Sequence, residues 1–149
     1  MEIWLIEDNE IYRQVLSRLL EKCTPYSIAR EYGDKPSLKN LMDDLSFRKV
    51  NPPDLILLDI YLPETDGWTI LDFLNEGGLQ IPVIVVSDSA DLENIEKSRT
   101  YLNVFGYYVK GDFPANLFEM IREIESSGAA LNQIAPTVPT KRDKFGGIH

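Results

Sequence analysis

The stretch "DLILLDIYLPETDG", residues 54–67, decides the fold. Leu55 to Leu58 carry no polar side chain, and the run is too short for a buried helix. It reads as a strand covered on both faces, as in the middle of a parallel sheet. Its tip delivers a carboxylate, Asp59, and the chain then turns at Pro63. A charged group at the end of a buried strand is costly unless it is exposed, paired or used.

Four more runs rich in aliphatic or aromatic residues flank it: Ile3-Ile6, Ser27-Tyr32, Val83-Ser87 and Tyr107-Lys110. Segments with helical spacing separate them. The first places Ile11, Val15, Leu16, Leu19 and Leu20 on one face, with Asn9 as N-cap. The second, from Ser37 to about Leu45, carries Leu38, Leu41, Met42 and Leu45 on one stripe. Trp68, Leu71 and Leu74 mark a third, closed by Gly77-Gly78. The fourth, about Leu92 to Leu102, has an apolar face of only Leu92, Ile95 and Leu102. The fifth starts at Pro114 and carries Leu117, Phe118, Ile121 and Ile124. Five strand-helix alternations predict an α/β fold, a parallel sheet with helices on both faces.

From Ser126 to His149 the periodicity stops. Two prolines, three glycines and the cluster Lys141-Arg142-Asp143-Lys144 read as a linker or tail. The expected organisation is one domain over residues 1–125 and a tail over 126–149, too short for a further domain. A net charge of -9 and a pI near 4.6 disfavour direct binding to nucleic acid or an anionic membrane. The acidic N-terminus lacks the basic region of a secretory signal, and no apolar run approaches the roughly 20 residues that span a bilayer. The single cysteine, Cys23, reads as a small core thiol. A cytoplasmic protein is the expectation.

Ligands of an open parallel sheet bind at the carboxyl ends of its strands. Glu7 and Asp8 follow the first strand, Asp59 the third, Ser87 ends the fourth, and Lys110 ends the fifth. Like charges about 4 Å apart repel by roughly 4 kcal/mol at an effective dielectric near 20. A hard divalent cation relieves that repulsion, and Mg²⁺ suits one or two direct carboxylates with retained waters. Its open positions would accept phosphoryl oxygens, with Lys110 and Ser87 serving others. A carboxylate can itself be the nucleophile, and Asp59 is the candidate.

These residues, with Asp59-Ile-Tyr-Leu-Pro63 and Asp66-Gly67, resemble the receiver domain of two-component response regulators over about Met1 to Glu125. The resemblance implies a flavodoxin-like, doubly wound sheet of strand order 2-1-3-4-5. It implies a phosphoryl group passed from a histidine kinase, or a phosphotransfer protein, to Asp59. It implies Mg²⁺ held by Asp8, Asp59, the backbone carbonyl of Tyr61 and a water near Glu7. Lys110 and Ser87 would contact the phosphoryl group. Ser87 and Tyr107 would form the switch, the ring turning inward on phosphorylation, and the surface of the fourth helix, fifth strand and fifth helix would bind a partner, an output domain or a second copy. Such a domain catalyses at most its own phosphorylation and dephosphorylation. "KGDFPANL" and "IEDNEIYRQVLSRLLE" are similar to the branch with helix-turn-helix outputs. Gly111 stands where the family commonly has proline, Ser87 where threonine is commoner, and Tyr61 is bulky for its place.

Other readings are weaker. A haloacid-dehalogenase-like phosphatase needs a second aspartate two residues after the first, where this chain has Tyr61. A flavin carrier wants a glycine- and hydroxyl-rich phosphate loop after the first strand, where Glu7-Asp8-Asn9-Glu10 would repel phosphate. The runner-up is a receiver-like binding module that works without phosphorylation.

Overall fold

Among the described residues, five hydrogen-bonded strands and five helices alternate along the chain. The computed structural model describes residues 1–63 and 65–128. The elements are β1 (Ile3–Ile6), α1 (Glu10–Cys23), β2 (Ile28–Tyr32), α2 (Lys35–Asp44), β3 (Leu55–Leu58), α3 (Gly67–Glu76), β4 (Val83–Ser87), α4 (Leu92–Ser98), β5 (Val104–Val109) and α5 (Pro114–Ser127). Every strand pair is parallel, and the order is β2-β1-β3-β4-β5, as expected. α5 runs through Ser127, two residues into the expected tail; the rest of that tail falls outside the described residues beyond Gly128, including Lys141, Arg142, Lys144 and His149.

The period-two alternation of the strands splits the core into two layers. Trp4, Ile6, Ile56, Leu58, Val83, Val85 and Tyr107 face α2, α3 and α4. Ile3, Leu5, Leu55, Leu57, Ile84, Val86 and Tyr108 face α1 and α5. Residues of β1, β3 and β4 are buried throughout, which is why their sequence shows no polar face. β2 lies at an edge and is largely exposed, and it reads as the weakest of the runs.

The sheet also positions the acids. β1 and β3 pair in register, Ile6 opposite Leu58. Glu7 and Asp59 are therefore the next residues off two neighbouring strands. The Asp59 amide donates to the Ile6 carbonyl at 2.9 Å, and the Glu7 amide to the Tyr32 carbonyl at 2.9 Å. The strand order reverses between β1 and β3, so the crevice at this point is the topological switch point of the sheet.

Several sequence expectations need correction. Ile11 and Val15 are 74% and 48% exposed, not core. The buried stripe of α1 centres on Leu16 and Leu20, and at about 100° per residue Ile11 is turned roughly 140° from Leu16. Cys23 ends α1 and is exposed, so it is no core thiol. α4 stops at Ser98 rather than near Leu102, with Leu92 and Leu102 both exposed and only Ile95 and Ser98 buried. The Ser98 and Thr100 hydroxyls donate to the Ile95 and Lys97 carbonyls at 2.7 Å each, closing the last turn. β5 begins at Val104, three residues before the expected start, because Gly106 interrupts the apolar run in sequence but not the strand.

The caps follow local rules. Asn9 accepts from the Tyr12 amide at 2.9 Å, as its type predicts at an N-cap. Asp34 and Asp66 do the same for α2 and α3. Gly67 has a further role. Its amide donates to the Ile60 carbonyl at 3.0 Å, and a Cβ there would lie 2.6 Å from Ile60 Cα and 2.9 Å from the Asp59 carbonyl oxygen. Only glycine lets α3 start this close to the backbone that carries Asp59. Gly67→Ala should destabilise the fold by about 2 kcal/mol in urea unfolding, the range of a tight core overpacked against backbone. Gly77→Ala, whose Cβ would lie 3.3 Å or more from its neighbours, should cost far less.

Candidate functional site

The carboxylate oxygens of Glu7, Asp8 and Asp59 lie within 4.8 Å of one another at the carboxyl edge of β1 and β3. Glu7 is 1% exposed and Asp59 5%, while Asp8 faces solvent. Lys110 reaches them from the end of β5. Its amide donates to the Ser87 carbonyl at 2.7 Å, which fixes where its side chain starts. Its ammonium pairs with Glu7 Oε1 and, at 3.1 Å, with Asp59 Oδ2; Asp88 stands 4.0 Å away. The Lys110 ammonium thus pairs with two of the three clustered carboxylates, Glu7 and Asp59, and the group of three could take a metal ion.

Each buried acid has fixed partners. Asp59 Oδ1 accepts from the Tyr61 amide at 2.9 Å, and Oδ2 from Lys110. Glu7 Oε2 accepts from the Asn9 amide at 3.0 Å. Asp8 sits on the same turn with its side chain toward solvent. On the far side of the crevice, the buried Ser87 hydroxyl accepts from the Ser89 amide at 3.1 Å. Ser87 does not cap the next helix, since α4 starts after Asp91 and has no side-chain cap bond.

Tyr107 differs from its expected starting point. The ring is fully buried and its hydroxyl donates to the Ser89 carbonyl at 2.6 Å. In this conformation the ring already occupies the interior that it was expected to enter. Tyr61 has a 55% exposed side chain whose hydroxyl accepts from Asn94 Nδ2 at 2.6 Å.

Sequence reasoning missed two residues of the first turn of α1. The Tyr12 ring centre lies 4.6 Å from the Lys110 ammonium, a cation–π contact. Arg13 donates through Nη1 to the carbonyls of Glu7 at 2.8 Å and Asp8 at 3.2 Å, so it pins the acidic turn from behind. The signal was available: once Asn9 is the N-cap, residues 10–13 must lie at the strand tips. Gly33 completes this contact, for the Arg13 guanidinium lies where a Cβ at 33 would be.

Burial pushes the Glu7 carboxyl up, to about 7, against the pull of Lys110 and the Asn9 amide, with the Asp59 charge adding to the rise. Burial draws Lys110 down, but the Glu7 and Asp59 carboxylates outweigh it and hold it above the ordinary lysine value. A raised carboxyl contributes stability that is present below its unfolded value near 4.5 and is lost as pH climbs through about 7. In metal-free buffer, the unfolding free energy of the wild type should therefore fall between pH 4.5 and 7 relative to Glu7→Gln, by on the order of 1–3 kcal/mol. Parallel stability–pH curves for the two proteins would show that Glu7 does not titrate there.

Comparison with known proteins agrees with this geometry. Residues 3–122 match the response regulator receiver domain family. The transcriptional regulatory protein DcuR of Escherichia coli K12 is 38% identical over 119 residues, 80% of this chain and 47% of that protein. The "Probable C4-dicarboxylate response regulator DctR" of Priestia megaterium is 26% identical over 99 residues, 66% of this chain and 41% of that protein. The chain thus spans less than half the length of these curated relatives. Among solved structures, the phosphorylated cyanobacterial phytochrome response regulator RcpA superposes with a TM-score of 0.61 at 28% identity, covering 85% of this chain and 91% of that one. A two-component response regulator from Cytophaga hutchinsonii shares the fold with a TM-score of 0.70 at 18% identity, over 84% and 96% of the two chains. With five parallel strands in the order 2-1-3-4-5 and the family match across nearly all the described residues, the chain belongs to the receiver domain family of response regulators.

Proposed function

We propose that this receiver domain is a phosphoacceptor switch in which Asp59 takes a phosphoryl group from the phosphohistidine of a sensor kinase or a phosphotransfer protein. The observation that supports this most is the constellation at the switch point: Asp59 at the tip of a buried strand, two further carboxylates within 4.8 Å, and the Lys110 ammonium among them. Phosphoryl transfer asks for positioning and charge neutralisation more than for covalent chemistry by the protein. A carboxylate oxygen of Asp59 attacks phosphorus, the P–N bond breaks, and the electron pair leaves with the imidazole, which takes up a proton. Lys110 exchanges part of its ion pairing for a phosphoryl oxygen, and the Ser87 hydroxyl donates to another.

The donor set fits Mg²⁺: hard oxygen ligands from Asp8, Asp59 and the Tyr61 carbonyl, with Glu7 placed to hold a bound water. Bound there, the cation would neutralise charge that a single ammonium leaves uncompensated. Glu7 and Arg13 keep the acidic turn in place. The chain acts on itself and has no other substrate in this reading. The site works where a kinase can reach it, in the cytoplasm; among the described residues no helix is long and apolar enough to cross a membrane.

The output surface is that of α4, β5 and α5, offered to a second copy, a partner protein or an output domain joined through the segment after α5. Names such as "transcriptional regulatory protein" among the relatives favour a DNA-directed output, itself separate from this acidic domain. Since Tyr107 already lies inside with its hydroxyl on Ser89, the loop carrying Ser87 and Ser89 is the part that moves.

Two outcomes test the reading. Mg²⁺ in the millimolar range should raise the melting temperature by mass action, and Asp59→Asn should weaken that response. Acetyl phosphate with Mg²⁺ should add one alkali-labile phosphoryl group, absent from Asp59→Asn. A stable adduct mapped to Ser87 or Ser89 would overturn the mechanism.

A further inference from the structure

α4 is poorly anchored by packing. It has seven residues, no side-chain cap bond at Asp91, and only Ile95 and Ser98 buried. Side-chain links to its neighbours hold it instead. The Lys97 ammonium lies 4.6 Å from the Trp68 ring centre on α3. Tyr101, just past α4, stacks on Trp68 and donates to Asp72 at 2.7 Å. One link runs to the acidic site itself: Asn94 Nδ2 donates to the Tyr61 hydroxyl at 2.6 Å, and to Ser89 Oγ at 3.2 Å.

Tyr61 is thereby tied at both ends. Its amide donates to Asp59 Oδ1 at 2.9 Å, and its hydroxyl holds the middle of α4. The other Asp59 oxygen is held by Lys110. A new substituent on this carboxylate must disturb one of these two bonds, and the backbone of residue 61 is next to the reacting group. The ring is long and stiff, with two rotatable bonds, so a small displacement of its backbone is carried to the hydroxyl. A hydrogen bond is directional and fails steeply with misalignment. The Tyr61–Asn94 bond is therefore poised to break when residue 61 moves.

We infer that Tyr61 is a positioning residue that couples the state of Asp59 to α4: its hydroxyl latches α4 through Asn94 in the unmodified protein, and modification of Asp59 releases the latch. This rests on the phosphoacceptor reading and deepens it. It supplies a second connection from the site to the α4 surface, alongside the Ser87–Ser89–Tyr107 side. The two meet at Ser89, which receives both Asn94 and Tyr107.

Amide hydrogen exchange of residues 92–98, with the Asn94 side-chain amide signals by NMR, tests the latch in wild type, Tyr61→Phe, Asn94→Ala, the double variant and Ser89→Ala. In the unmodified state, Tyr61→Phe should speed α4 exchange about three- to ten-fold, the worth of one hydrogen bond in local opening. The urea midpoint and the exchange of β3 and β4 should not change. The double variant should exchange no faster than Asn94→Ala, since both changes remove the same bond. Ser89→Ala should leave the effect of Tyr61→Phe in place. With Mg²⁺ and beryllofluoride, a phosphoryl mimic, wild-type α4 should approach the rate of Tyr61→Phe, the Asn94 side-chain signals should shift, and Tyr61→Phe should gain little more. Equal α4 exchange in wild type and Tyr61→Phe overturns the latch, as do multiplying effects of Tyr61→Phe and Asn94→Ala. So does acceleration spread over the whole sheet. If beryllofluoride fails to bind at Asp59 in the wild type, the phosphoacceptor reading falls and takes the coupling with it. If it binds and α4 is indifferent to Tyr61, only the latch falls.

Discussion

The in-register pairing of β1 with β3 is the constraint on which the site depends. It sets Ile6 beside Leu58, so the next residues, Glu7 and Asp59, leave the sheet together. Two buried carboxylates in that position would repel, and Lys110 offsets the repulsion by pairing with both. A one-residue slip of either strand would turn an acid into the core and a leucine or isoleucine into the crevice. Carrying either acid into the apolar interior would be costly, so the packing of the two core layers indirectly fixes the chemistry at the edge.

The surroundings of the acids hold them in place without neutralising them. Arg13 binds backbone carbonyls of the acidic turn at 2.8 and 3.2 Å, and reaches Glu31 only at 3.8 Å, so its charge bears on the turn's geometry more than on the carboxylates. The Tyr12 ring covers the Lys110 ammonium and limits its access to water without replacing its ion pairs. What results is a site short of positive charge, with Glu7 pushed up by burial. Such an acidic cluster could take a cation.

The elements around the crevice are held unequally. β3 and β4 are buried along their whole length, and α3 is held against Asp59 by the close approach of Gly67. α4 buries only Ile95 and Ser98. Motion should concentrate in elements with few buried apolar contacts. A rigid floor beneath the acids and a loosely held helix beside them suit a domain whose chemistry must stay fixed while a surface changes.

The sequence by itself determined the strand-helix alternation, the two-sided burial of the central strands, and the order of acids, hydroxyl and lysine along the chain. Those are local properties: period, apolar runs, and helix starts marked by residues such as Asn9 and Pro114 can be read without knowing what packs on what. The bounds of β1 and β4 and the start of α5 were legible to the residue. The exposure of Ile11, Val15 and Cys23 was not, because a helix with apolar residues on more than one stripe does not say which stripe meets the sheet. Gly106 likewise hid the first half of β5, whose neighbours decide its conformation. Only the tertiary structure decided that one lysine bridges two acids, that Tyr12 and Arg13 close the site from α1, that Tyr107 lies inside, and that Tyr61 reaches Asn94, 33 residues away. These are contacts between residues far apart in sequence, set by register and packing, and no local pattern in the chain encodes them.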